Sequence, residues 1–255
     1  MDLDSHNSTI HGIGALEDNI IWIWVDKEEA VVIDPSICNP VKSWIEAKGL
    51  NLKAILQTHH HQDHIGGTEE LLQTWPDAIV IAANKDKERI PFQTNSVKDG
   101  DEIILLNTKI KVIEVPGHTN AHIAFYARIN KKDTVLDVLF CGDTLFGAGC
   151  GKLFEGTAKE MFIALKKLNQ LPKNTKVYCG HEYTETNLRW ALSIYPDNEN
   201  IKNRLRQTRH IRRKGLHSLP SSLYEENQTN LFLRAKTYEE FKQLRLHKDK
   251  WKDLS

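Results

Sequence analysis

The 255-residue sequence contains no apolar run near the ~18 residues a membrane-spanning helix needs; its best stretch, residues 20–25, is six residues long. No basic residue precedes Lys27, so the positive segment of a secretory leader is missing from this stretch and a cytoplasmic protein is expected. Cysteine is scarce: Cys38, Cys141, Cys150 and Cys179 form no CxxC pair. That excludes a disulfide-stapled mini-domain and predicts free thiols in a reducing compartment. No internal repeat and no low-complexity segment is present, which excludes solenoids and collagen-like chains. Disorder is excluded too, because 40% hydrophobic against 27% charged residues suffices for a core.

Net charge is also missing, with 34 basic and 34 acidic residues, but the balance is uneven along the chain. Residues 1–41 carry eight acids against Lys27 alone, whereas residues 202–252 carry fourteen Lys or Arg against five Asp or Glu. Within that tail, residues 202–214 hold seven basic side chains and no aromatic on which a base could stack. A solvated helix face explains this run, and no nucleic-acid partner is expected.

Residues 19–25 and 29–34 read as a hairpin, and short strands follow at 54–57, 79–82, 102–106, 110–115, 123–129, 135–141 and 177–179. A helix is expected after Gly66-Gly67, ending at Pro76. Thr157 and Glu160 form a capping box ahead of Met161, Leu165 and Leu168, a helical stripe. Beyond Tyr183 helices dominate, over 185–195, 198–214, 223–227 and 238–248, with capping boxes expected at Ser222/Glu225 and Thr237/Glu240. The boundary is therefore placed at Tyr183, giving domains 1–183 and 184–255.

The densest chemical signal is Thr58-His59-His60-His61-Gln62-Asp63-His64. Metal binding requires neutral imidazoles and carboxylates converging on one point, and four such groups fall within six residues here. Gly66-Gly67 just behind them would let the backbone approach a metal or open a helix tightly. Three further candidates, His118, Asp143 and His181, each follow a strand through a glycine-containing turn. Strand C-termini along one sheet edge are where sites assemble in layered proteins. Seven ligands exceed one tetrahedral zinc and suit two cations sharing a carboxylate. Two cations bridging a water would lower its pKa from ~15.7 toward ~7, so hydrolysis is the expected chemistry.

Together, His59-x-His61-x-Asp63-His64, Pro116-Gly117-His118-Thr119, Gly142-Asp143-Thr144-Leu145-Phe146 and Gly180-His181-Glu182-Tyr183 resemble the metallo-β-lactamase superfamily. Within it, the stretches 141–157 and 178–183 are similar to the glyoxalase II, or hydroxyacylglutathione hydrolase, family. The likeness runs from Asp18-Asn19 to Trp251. It implies an α+β fold, a four-layer αββα sandwich followed by a C-terminal helical domain that binds glutathione. It implies hydrolysis of S-(2-hydroxyacyl)glutathione, typically S-D-lactoylglutathione, to glutathione and a 2-hydroxy acid, by attack of a metal-bridging hydroxide. This is the second step of methylglyoxal detoxification. By the same resemblance His59, His61 and His118 hold one metal, Asp63, His64 and His181 the other, and Asp143 bridges. Asp63 and Asp143 are the catalytic carboxylates, Asp63 also orienting the hydroxide. The cofactor expected is a pair of divalent ions, zinc first, with iron or manganese as alternatives since no sulfur ligand is present.

Lys152, Phe154, Tyr183, Arg245 and Lys248 fall on the family's glutathione-contacting positions, and Arg245 and Lys248 are neighbours one helical turn apart. Phe154 stands where many members carry Tyr; Ile21, Ala121 and Leu231 also depart from the family pattern, and none of these removes a ligand. A small-molecule glutathione thioester and a monomeric enzyme complete the expectation. The alternative is another superfamily activity: a persulfide dioxygenase, a different thioesterase or a ribonuclease. His60 should point away from its neighbours along an extended segment. His122 is a candidate support behind His118, and Cys150 reads as a structural thiol. His6, His11, His210, His217 and His247 have no partners at ligand spacing.

Overall fold

A computed structural model of the chain describes residues 8–131 and 134–253, so His6 lies outside the described residues. The chain divides into two compact units. One holds the chain through Glu114 together with Ile123–Gly142; the other holds Val115–His122 and everything from Asp143 onward.

The first unit begins with β1 (Thr9–Ala15), β2 (Asn19–Asp26), β3 (Glu29–Ile33), α1 (Asn39–Ala47) and β4 (Asn51–Leu56). It continues with α2 (Gln62–Ile65), α3 (Thr68–Thr74), β5 (Ile79–Ala83), β6 (Asn95–Val97), β7 (Glu102–Leu105), β8 (Thr108–Glu114), β9 (Ile123–Lys131) and β10 (Thr134–Gly142). β1 to β6 form one sheet in sequence order, and β7 to β10 run antiparallel in a second. The expected 19–34 hairpin is present, with Trp24 opposite Val31 and Lys27 at φ +52 in the turn.

Side-chain alternation along β2 builds the layers. Ile21 and Ile23 join Val32, Ile55 and Val80 under Val41 and Ile45 of α1 and Leu71 of α3. Trp24 points the other way, stacked 6.4 Å from Phe140 of the second sheet. With both faces covered, β2 is buried almost throughout, hence its continuous apolar run. β3, β4 and β5 are parallel, so each connection must cross over, and α1 and then α2–α3 supply it. Parallel pairing brings the ends of β3 and β4 level, Ile33 beside Leu56. Asp34 and the histidine cluster therefore leave the sheet from the same edge.

Of the two roles expected for Gly66 and Gly67, the tight helix start is the one seen, with Gly67 at the N-cap of α3. A β-carbon on Gly67 would lie 2.5 Å from the Ile37 backbone, so the glycine pair admits the loop that follows β3.

The second unit contains β11 (Leu145–Phe146), β12 (Gly149–Cys150), α4 (Ala158–Leu168), β13 (Lys176–Cys179), α5 (Thr184–Ile194) and α6 (Glu199–Arg212). β14 (Ser221–Ser222), α7 (Leu223–Thr229), α8 (Leu231–Arg234) and α9 (Tyr238–Lys250) complete it. Trp190, Phe232 and Phe241 form its aromatic centre, with Trp190 stacked 4.9 Å from Phe232. The Thr157/Glu160 capping box closes in both directions, a device worth ~1 kcal/mol. The box expected at Thr237 closes in one direction only: Thr237 accepts from the Glu240 amide, but the Glu240 carboxylate turns to the Lys236 amide at 2.7 Å. Ser222 likewise caps the Glu225 amide. All four cysteines are free and buried. The observed fold is an α+β sandwich followed by a helical region, as expected.

Candidate active site

In the first unit, β4 ends at Leu56, the chain bends at Thr58, and His61, in an extended conformation, occupies the N-cap position of α2. His59 and His64 are buried, His61 and Asp63 partly exposed. Hydrogen bonds fix which imidazole nitrogen carries a lone pair. Thr58 Oγ1 donates to Asp34 Oδ2 at 2.6 Å, so it can only accept from His59 Nδ1, 3.0 Å away. His64 Nδ1 lies 3.1 Å from Asp34 Oδ2, and a carboxylate oxygen can only accept. His59 and His64 are thereby held with Nε2 available as a ligand atom. Asn19 donates to both the backbone oxygen (2.9 Å) and Oδ2 (3.2 Å) of Asp63, fixing that carboxylate.

In the second unit, His118 Nδ1 donates to the Lys152 carbonyl at 2.7 Å, which leaves its Nε2 as a ligand atom as well. Asp143 Oδ2 sits 3.4 Å from His118 Nε2 and 3.3 Å from His181 Nε2. His122 is buried behind Asp143 and accepts the Asp143 amide at 3.1 Å; it supports the carboxylate-bearing turn more directly than it supports His118. At Gly151 a β-carbon would fall 2.0 Å from the Asp143 carbonyl and 3.0 Å from His118 Nδ1. Only glycine allows the chain to close on that turn.

The donor spacings carry the fit to metal. His59 Nε2 and His61 Nδ1 are 3.1 Å apart, and His64 Nε2 and Asp63 Oδ2 are 3.5 Å apart. With the two Asp143 pairs, all four separations cluster where tetrahedral geometry with ~2.0–2.1 Å bonds puts two ligands of one ion, roughly 3.3 Å. These residues fit a metal: nitrogen and oxygen donors, lone pairs of His59, His64 and His118 selected by their neighbours, and no sulfur. Within the first unit the structure gathers His59, His61, Asp63 and His64; within the second it gathers His118, Asp143 and His181. His60 turns aside, as expected, toward buried Asp86 at 3.6 Å. Asp34 joins the site without any motif to mark it. Its role depends on a φ of +50 just past β3 that turns its carboxylate onto Thr58 and His64.

The sequence model of the metallo-β-lactamase superfamily matches residues 13–181, and that of the hydroxyacylglutathione hydrolase C-terminus matches residues 182–251. A hydroxyacylglutathione hydrolase of Prochlorococcus marinus is 58% identical over 243 residues, covering 95% of this chain and 96% of its own. The chain belongs to the hydroxyacylglutathione hydrolase family.

Among solved structures, ETHE1 from Myxococcus xanthus aligns with a TM-score of 0.67 at 23% identity, over 93% of this chain and 90% of its own. TTHA1623, crystallised in a di-iron-bound form, aligns at 0.54 and 26% identity, over 68% and 91%. Family membership and the two donor clusters support a divalent metal pair.

The sequence also singles out Lys152, Phe154, Tyr183, Arg245 and Lys248 as candidate substrate contacts. The Lys152 ammonium lies over the Phe154 ring at 5.7 Å, and that ring, well exposed, meets His118 edge-on at 5.2 Å. Tyr183 stacks flat on His181 with centroids 4.8 Å apart. Arg245 is buried. Its guanidinium binds Asp249 Oδ1 through Nε (3.0 Å) and Nη2 (2.7 Å), donates to the Cys150 carbonyl at 3.2 Å, and covers Phe232. Lys248 donates to Asn187 Oδ1 at 2.5 Å over the Trp190 ring. Burial, and next the neighbouring Arg245 charge, bring the Lys248 pKa down to about 8. Burial also raises the Cys150 thiol pKa, with Arg245 opposing, consistent with a structural thiol.

The lowered lysine has a measurable consequence for an anionic substrate. Lys248 is protonated well below pH 8 and loses its charge above it, so KM for a glutathione thioester should be flat at neutrality and climb above pH 8. Lys248→Arg, which stays charged, should flatten that rise. A wild-type KM that stays constant to pH 9.5 would remove Lys248 from substrate binding.

No described helix is long and apolar enough to cross a membrane.

Proposed function

We propose that the chain hydrolyses S-(2-hydroxyacyl)glutathione, with S-D-lactoylglutathione as the leading substrate, to glutathione and a 2-hydroxy acid such as D-lactate. The observation that carries this reading is the set of imidazole and carboxylate pairs at metal-ligand spacing in a chain that also bears Arg245 and Lys248 on α9. His59, His61 and His118 would hold one ion, Asp63, His64 and His181 the second, with Asp143 shared. Bound there, a divalent pair supplies Lewis acidity and lowers the pKa of water toward ~7. Zinc is the first choice; iron and manganese are the alternatives, iron being the metal of the di-iron form of a relative 26% identical.

The protein's own groups do the rest. Asp63, held by Asn19, orients the attacking water toward the thioester carbonyl. Asp34, through Thr58 and His64, keeps two imidazoles in the ligating tautomer, and the Lys152 carbonyl does the same for His118. The leaving thiolate has a conjugate-acid pKa near ~8.5, so no strong general acid is needed. Lys152, Tyr183, Arg245 and Lys248 bind the tripeptide, and Phe154 contributes an apolar face without a hydroxyl. Residues 184–255 serve as the glutathione-binding domain of a monomeric cytoplasmic enzyme with no nucleic-acid partner.

Assaying S-D-lactoylglutathione hydrolysis alongside metal analysis of the same preparation tests the proposal. Turnover should scale with metal content and approach its maximum at two ions per chain. A fully loaded protein inert toward this thioester would overturn the substrate assignment.

A further inference from the structure

The turn spanning residues 143–151 bears Asp143 at one end and, through Gly151, leads to the Lys152 carbonyl that sets the His118 tautomer. Its middle is held by side chains from the helical segment. Phe146 and Gly149 carbonyls accept from Asn230 Nδ2 at 3.3 and 2.9 Å. The Gly147 carbonyl accepts from Asn187 Nδ2 at 2.8 Å. The Ala148 amide donates to Glu226 Oε2 at 2.8 Å, across 78 residues of sequence. Four consecutive residues of the turn thus each give one backbone group to a side chain of α5, α7 or the α7–α8 junction.

Glu226 is the centre of this grip and is fully buried. Its Oε2 also accepts from Asn230 Nδ2 at 3.1 Å, while Oε1 accepts from Arg204 Nη2 at 2.6 Å. Arg204, equally hidden, donates onward to Thr229 at 2.5 Å. A buried carboxylate is tolerated only when paired and hydrogen-bonded, and here one oxygen faces Arg204 while the other is shared between the Ala148 amide and Asn230. Ala148 has φ +55, a left-handed conformation that a residue with a β-carbon seldom adopts. Residues in such conformations persist where their surroundings over-determine them, and the Glu226 bond falls on that very residue.

We infer that Glu226, with Arg204 and Asn230, is a positioning group for the metal centre: it holds the 143–151 turn so that the Asp143 carboxylate and the Lys152 carbonyl stay in register with His118. The inference rests on the reading of Asp143 as a ligand. It gives the helical segment a second task beside substrate binding, and one that precedes substrate.

The test is the release of zinc from the loaded, full-length chain into a chromogenic chelator, with thermal melting measured on the same samples. Glu226→Gln removes the buried charge while keeping the shape. Asn230→Asp keeps the acceptor that caps the Phe232 and Leu233 amides but loses the donors to Phe146, Gly149 and Glu226 Oε2, and sets a second carboxyl group beside Glu226. Phe241→Leu thins the aromatic core of the same unit without touching the turn and serves as the stability control. Glu226→Gln and Asn230→Asp should release zinc at least ten-fold faster than wild type, whereas Phe241→Leu, at comparable loss of melting temperature, should release it at the wild-type rate. Equal acceleration by Phe241→Leu would reduce Glu226 to an ordinary structural ion pair and overturn the inference. So would wild-type release from both turn variants; if Glu226→Gln fails to fold, Asn230→Asp decides alone. Asp143→Ala is the reference. If it too retains zinc, the ligand reading has failed; if it loses zinc while the turn variants hold it, only the positioning role has failed.

Discussion

Asp143→Ala should leave the protein folded but strip it of metal and lower turnover toward S-D-lactoylglutathione by orders of magnitude. One oxygen of this carboxylate faces both His118 Nε2 and His181 Nε2, at 3.4 and 3.3 Å. Losing a group that supports a ligand typically costs ~10–100-fold in metal affinity or activity, and a shared ligand should cost more. The fold should survive, because the backbone of the turn keeps its bond to His122 and its contacts to Asn230, Asn187 and Glu226. Circular dichroism, metal content and kcat/KM on one preparation decide the matter. A variant with two ions per chain and a near-normal rate would take Asp143 out of the site.

The second large effect concerns affinity. Replacing Arg245 and Lys248 together by Ala should raise KM for S-D-lactoylglutathione at least ten-fold with little change in kcat. Glutathione carries two carboxylates, and charge-assisted bonds in a partly enclosed site are worth roughly 1.5–3 kcal/mol each. Contacts remote from the reacting carbonyl bind ground state and transition state alike, so their loss appears in KM. The two cations differ in what else they do. Lys248 has one close acceptor, Asn187, which a ligand carboxylate can displace. Arg245 already binds Asp249 and the Cys150 carbonyl, so Arg245→Ala should lower the melting temperature while Lys248→Ala should not. An unchanged KM in the double variant would sever α9 from substrate binding.

Much of this arrangement is legible in the sequence where the signal is local. The β2–β3 hairpin shows itself as two β-branched, aromatic-rich runs around Asp26-Lys27. The His59–His64 cluster suggests a metal by residue type and spacing, and three strand-end turns offer His118, Asp143 and His181 as further candidate ligands. β1 is hard to see because Gly12 and Gly14 interrupt it and most of its residues are exposed, an edge strand with little alternation. α1 is short and opens on Pro40, which reads first as a breaker, although proline at a helix start and the Val41, Trp44, Ile45 spacing are both helix signals. Asp34 offers nothing local, since its importance arises from a backbone turn and partners 24 and 30 residues away. Glu226 is the extreme case: in sequence it is one acid in a helical first turn, and only folding sets it against Ala148.

The burial of Cys38, Cys141, Cys150 and Cys179 bears on chemical compatibility between catalyst and product. Thiol–disulfide exchange needs a thiolate that a disulfide can reach. Here burial raises the thiol pKa of Cys38, Cys150 and Cys179, so attack is disfavoured by both access and protonation. An enzyme that releases glutathione works in the presence of that thiol and of the disulfide formed when the thiol is oxidised elsewhere. With its own sulfur sequestered, the protein resists exchange with an oxidised glutathione pool and is not readily drawn into mixed disulfides.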